Sequence, residues 1–164
     1  IMESSKKQYL SPIQSLDFYL MNYHKLLKKL KLKNDLEQLS GVLKREVSEE
    51  VQRILEQSHY EALVVTDSNR KIIWTDNGFH EMTGYTKRYA VGKKPVFLQG
   101  PKTDTETKSK IRSLLAKQER FDAAILNYRK NGEEYICHID VIPLRDDSKK
   151  VTHFLAMEKE RKVA

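Results

Sequence analysis

The sequence has a single cysteine, Cys137, which excludes an intrachain disulfide and any cysteine-rich zinc site. It has no apolar run near the ~20 residues that a bilayer span requires, and no charged, apolar and small-residue succession marks a signal peptide. A soluble, cytoplasmic protein is therefore expected. The G-x-S-x-G elbow, the P-loop and the glycine-rich dinucleotide turn are all missing, so no enzyme is expected. His80-Glu81 and the run Cys137-His138-Ile139-Asp140 contain metal-ligand residue types. Neither has a second cluster at paired spacing, so no metal site is assigned.

What is present suits one domain with a sizeable extension, since 164 residues exceed a common domain length and 39% are hydrophobic against 32% charged. The formal charge of +7 raises the question of nucleic acid. Residues 1–60 hold ten Lys or Arg against eight acids, so most of the excess lies in the remainder of the chain. The run Lys25 to Lys33, KLLKKLKLK, contains no acid, but leucines recur between its lysines. It reads as the solvated face of a helix, and nucleic acid is not the expected partner.

Residues 1–10 are expected to be flexible and 11–58 to form a helical extension, as two helices or one bent helix. Ser11-Pro12 with Gln14 is a helix start, with cap, proline and capping-box partner in place. Leu16, Leu20, Tyr23, Leu27 and Leu30 follow at steps of four and three. Asn34 with Glu37 repeats the capping-box pattern, so a break is expected near Lys33 and Asn34. Leu36, Leu39, Leu43, Val47, Val51, Ile54 and Leu55 carry a second stripe to about Gln57. The two stripes are too long to be left in water, which predicts a homodimer through Leu16, Leu20, Tyr23, Leu27, Leu43, Val47, Val51 and Ile54.

The pattern changes after His59. ALVVTD (62–67) and KIIWTD (71–76) are β-rich runs joined by Ser68-Asn69-Arg70, a hairpin signal. Short helical pieces follow across NGFHEMTGY, TKRYAVG and PVFLQG, then a longer helix from about Asp104 to Lys117. Three strands close residues 59–160, with Asn131-Gly132 and Asp146-Asp147-Ser148 as turns, leaving 161–164 as a tail. Strand pair, helices, three strands: this order predicts an α+β fold in which helices cover one face of a five-stranded antiparallel sheet.

The residues Asn77-Gly78-Phe79, Thr83-Gly84-Tyr85, Phe97-Leu98-Gln99-Gly100-Pro101, Leu126-Asn127-Tyr128-Arg129-Lys130 and Pro143-Leu144-Arg145-Asp146 occur in one order without gaps beyond Gly92. In them the chain resembles a PAS domain, and most closely the light-oxygen-voltage (LOV) flavin-binding subgroup. The resemblance implies a pocket in which Gln99, Arg112 and Asn127 are retained flavin-binding positions. It also implies departures at Lys94, Pro95, Val96, Cys137 and Glu158. Pro95 stands where LOV domains carry the cysteine that adds to the flavin after blue light, and Cys137 replaces a ring-binding asparagine. Glu158 takes the place of a glutamine that senses the flavin.

These departures predict a signalling module that acts by dimerisation and protein partner binding, without flavin and without photochemical adduct formation. Its output is expected through the N-terminal helices. The alternatives are a sensor holding FMN or another small molecule non-covalently, and a basic nucleic-acid adaptor. Cys137 is read as a core residue, and Glu158 is expected to form an internal ion pair with Lys94.

Overall fold

The computed structural model describes residues 11–161. The expected flexible segment 1–10 and all of the expected tail except Arg161 lie outside the described residues. Helix α1 spans Pro12–Leu43, and its start has the geometry read from the sequence. The Ser11 hydroxyl accepts from the Gln14 backbone N–H, while the Gln14 side chain accepts from the Ser11 N–H.

The helix does not break at Asn34. It runs on to Leu43 and ends where Lys44 turns left-handed at φ 52°. The capping-box pattern at Asn34 is overridden because Lys31 and Asp35, one turn apart, are joined at 2.7 Å across that point. Ser48 then caps α2, Glu49–Gln57, through the Val51 N–H.

Strand β1 (Ala62–Asp67) pairs with β2 (Ile72–Thr75); three short helical segments, α3 (Asn77–Thr83), α4 (Lys87–Ala90) and a 3-10 turn (Pro95–Leu98), lead to α5 (Thr105–Ala116). Strands β3 (Phe121–Tyr128), β4 (Glu134–Arg145) and β5 (Val151–Glu160) complete one antiparallel sheet in the order β2-β1-β5-β4-β3. The last strand thus enters the centre, between β1 and β4.

The sheet has two dissimilar faces. Strand alternation sends Leu63, Val65, Ile142, Leu144, Leu155 and Met157 to the outer face, where Leu39, Val47, Val51 and Leu55 close a dry core. Opposite them, Ala62, Val64, Ile125 and Cys137 face Phe79, Met82, Ala90 and Leu98 of the inner helical layer. The motif glycines follow from this packing. A Cβ on Gly78 would sit 1.8 Å from the Glu61 carbonyl oxygen, and Gly84 ends α3 at φ 76°, in the left-handed region.

The outer core corrects half of the expected dimer surface. Val47 and Val51 are buried, and Leu43 and Ile54 pack half-buried on the same cluster, inside one chain. The turn at 44–48 folds α2 back on the sheet, so the second stripe meets its own core. Leu16, Leu20, Tyr23 and Leu27 remain exposed.

Candidate functional site

Between the inner face of the sheet and the segment from Lys94 to Leu115 lies a cavity of about 560 Å³. Its walls are apolar, with Val64, Leu98, Ile111, Ile125, Ile139 and Phe154 among them. Its volume falls in the ~300 to 1,000 Å³ range of small-molecule sites. All three retained positions line it: Gln99 at the end of the 3-10 turn, Arg112 on α5 and Asn127 on β3. Lys94, Pro95, Val96 and Glu158 line it as well. Cys137 does not. It is fully buried in the inner core, where desolvation first and the Glu158 charge second push its thiol well above the ordinary value.

Residues 61–160 match the PAS domain family. This chain belongs to the PAS family. The chain is similar to part of phototropin-2 from Oryza sativa subsp. japonica, 40% identical over 117 residues, which cover 70% of this chain and 13% of phototropin-2. A blue-light photoreceptor from Listeria innocua serovar 6a is 35% identical over 101 residues, 60% of this chain and 40% of that protein. Among solved structures, one reported as "Flavin Analogue Sheds Light on Light-Oxygen-Voltage Domain Mechanism" superposes with a TM-score of 0.62 at 28% identity. It covers 69% of this chain and 85% of its own. The chain therefore spans well under half of the two curated relatives.

Within the PAS core, Glu158 is the least ordinary group. It sits on β5 opposite Ala62 of β1 and Ile139 of β4, is 6% exposed, and its Oε2 has no hydrogen-bond partner among the described residues. Burial first, and the Asp76 charge second, push its carboxyl up to about 7. The expected ion pair with Lys94 does not form: Glu158 takes part in no salt bridge among the described residues, and Lys94 is exposed at the rim. A lysine ammonium is strongly hydrated, and Lys94 lies in extended backbone ahead of the turn, where water reaches it.

A flavin is the group this subgroup implies, and the cavity has the volume and apolar walls for one. Its polar end fits poorly wherever Glu158 is ionised, which is above neutrality with the carboxyl pushed up to about 7. An ionised Glu158 can only accept hydrogen bonds, so it repels the carbonyl and imine acceptors on the ring edge that a glutamine amide would satisfy. Pro95, on the wall, offers neither a thiol nor a backbone N–H.

Two features were missed in the sequence. Arg70 in the β1–β2 turn and Lys108 on α5 join Lys94 and Arg112 around the cavity. Lys108 and Arg112 stand four apart on one helix, a legible signal, whereas Arg70 is brought there by the hairpin. The second feature joins α1 to the core. Asp76 caps α3, its Oδ1 accepting from the Leu63 and Phe79 N–H groups, and its Oδ2 accepts from Lys31 at 2.8 Å. Lys31 also bonds Asp35, so one ammonium bridges two buried carboxylates. Burial alone would lower the Lys31 pKa, but the hydrogen bonds and charges of both aspartates outweigh it and hold the ammonium above its ordinary value. This consumes part of the basic run, and Lys28 is engaged too, donating to the Ser58 carbonyl.

No helix among the described residues is long and apolar enough to cross a membrane. Nor does any group of three His, Cys, Asp or Glu side chains there assemble as a metal site.

Proposed function

We propose that this chain is a non-enzymatic, cytoplasmic PAS signalling module of LOV-like type, comprising residues 59–160 with the 11–58 extension. It works without flavin adduct chemistry and signals by self-association and by binding a protein partner. The observation that supports this best is the split character of α1. Its Lys31–Leu43 half is pinned to the sheet, whereas Leu16, Leu20, Tyr23, Leu27 and Leu30 are between 42% and 57% exposed. Those positions step by four and three, the seam of a two-helix coiled coil, along about 21 Å of helix. A second copy supplies the matching seam.

Sedimentation of the full chain tests the reading. Leu16→Glu with Leu27→Glu should weaken self-association at least about tenfold while the melting temperature of the core is unchanged. The same charges at Leu43 and Val51 should unfold the core. A monomeric parent chain, or an unaltered dimer in the Leu16/Leu27 variant, would remove α1 as the contact. Blue light on protein mixed with flavin mononucleotide (FMN) should produce no reversible bleaching, because Pro95 has no sulfur to add.

A second reading, a non-covalent small-molecule sensor, is favoured by the cavity of about 560 Å³. The two are compatible if an occupied cavity alters how the sheet holds α1.

A further inference from the structure

The cavity has a polarised design. At its sheet end stand Glu158 and Asn127, both buried; around it stand Arg70, Lys94, Lys108 and Arg112, none of which enters an ion pair among the described residues. Four cations without acidic partners suit a ligand that carries an anion at one end. The acid at the other end suits a ligand with hydrogen-bond donors there, since a buried carboxylate without donors is costly. Apolar walls between them suit a flat ring.

We propose that the cavity selects a phosphorylated planar heterocycle that turns two adjacent N–H donors inward to Glu158 and its phosphate outward to the cations. Guanine has that edge: its ring N–H and exocyclic amine match the two oxygens of a carboxylate. Adenine puts a ring acceptor beside its amine and flavin presents carbonyls, so both meet a lone pair of Glu158. The proposal rests on reading the cavity as a ligand site.

The groups around Glu158 leave its ionisation to the ligand. Asp76 beyond β2 repels the charged form, whereas burial pushes the Cys137 thiol and the Tyr135 phenol on β4 upward and keeps both neutral, and Asn127 on β3 carries no charge. Among the described residues no cation pairs with it: Arg129, which follows β3 and lies over the Tyr135 ring, is paired with Glu133 and Glu160. With its carboxyl pushed up to about 7 by burial, Glu158 is acceptor-only above neutrality and a mixed donor and acceptor below it. Selection should therefore sharpen as pH rises.

The experiment is calorimetric titration of the full chain with guanosine monophosphate, adenosine monophosphate and FMN at about pH 6 and about pH 8. The first two share the same phosphate, so their ratio isolates the buried edge. Guanosine monophosphate should bind at least about tenfold more tightly than adenosine monophosphate at the higher pH, with a smaller margin at the lower. Glu158→Gln should reduce the margin to within about threefold and strengthen FMN binding about tenfold. Lys108→Ala with Arg112→Ala should weaken guanosine monophosphate about tenfold and flatten its salt dependence.

Binding with the same margin at both pH values, or a margin that Glu158→Gln leaves intact, overturns the role of Glu158 but keeps the cavity as a ligand site. Tight guanosine monophosphate binding without Lys108 and Arg112 overturns the outward phosphate. No binding of any of the three nucleotides to either protein overturns the proposal and the ligand reading together. Sedimentation tests α1 independently of all three. If Glu158→Gln loses its near-ultraviolet circular dichroism, the pH series on the parent chain decides.

Discussion

Asp76 and Glu158 are both buried carboxylates close to strand β1, and they have opposite surroundings. Asp76 accepts from two backbone N–H groups and from Lys31, so its charge is matched by donors from a strand, a helix and the N-terminal extension. The Oε2 of Glu158 accepts from nothing among the described residues, and burial raises its proton affinity. A satisfied buried acid fixes structure, whereas an unsatisfied one is held in place by the surrounding fold against its own desolvation cost. The junction at Asp76 ties α1 to the sheet; the cavity at Glu158 is where the same sheet keeps room.

The comparison breaks most severely at Asp76. Asp76→Ala leaves the Leu63 and Phe79 N–H groups without their acceptor and removes one of Lys31's two carboxylates. The expected loss is about 3 to 5 kcal/mol in chemical denaturation. Glu158→Gln should do the reverse. The Glu158 carboxyl rises from the ordinary 4.5 to about 7 in the folded chain, so its stabilising contribution is complete below pH 4.5 and is lost as pH climbs through about 7. The variant should therefore gain up to about 3 kcal/mol over the parent near pH 8, and no more than a small fraction of that near pH 4. Denaturation curves across that window should show the parent losing stability with pH and the variant staying level. Equal slopes would mean that Glu158 is not desolvated as described.

Smaller effects sharpen the contrast between the two halves of α1. Leu16→Glu with Leu27→Glu should cost the proposed self-association about 1.4 kcal/mol or more and the stability of the single chain almost nothing, since both residues are exposed within one chain. Leu39 is fully buried, so Leu39→Ala should instead lower the stability of the folded chain itself. Ser11→Ala should fray only the first turn, at about 1 kcal/mol, visible as faster amide exchange near Gln14.

Much of this molecule follows from local sequence rules. Strand alternation, the capped start at Ser11 and the turn at Asn131-Gly132 each depend on neighbours within a few residues, and all were legible. The pocket positions could be named in advance because the PAS motifs carry them, and Asn127, Gln99, Arg112 and Pro95 do meet on one cavity. The length of α1, the burial of Val47 and Val51, and the lone state of Glu158 were not legible. Asn34 has the pattern of a helix start, yet Lys31 and Asp35 carry the helix across it because Asp76, 45 residues from Lys31, stands close enough to share the ammonium.

The sequence by itself determined the order of elements and the family, since each depends on residue identity along the chain. Only the tertiary structure decided which apolar stripe is spent inside the molecule and which is left outside, and which charges find partners. Lys94 and Glu158 are complementary on paper, but pairing needs both groups within about 4 Å in a shared low-dielectric space. The fold puts the lysine in water at the rim and the glutamate on the buried inner face of the sheet, and that separation leaves the acid without an ion pair among the described residues.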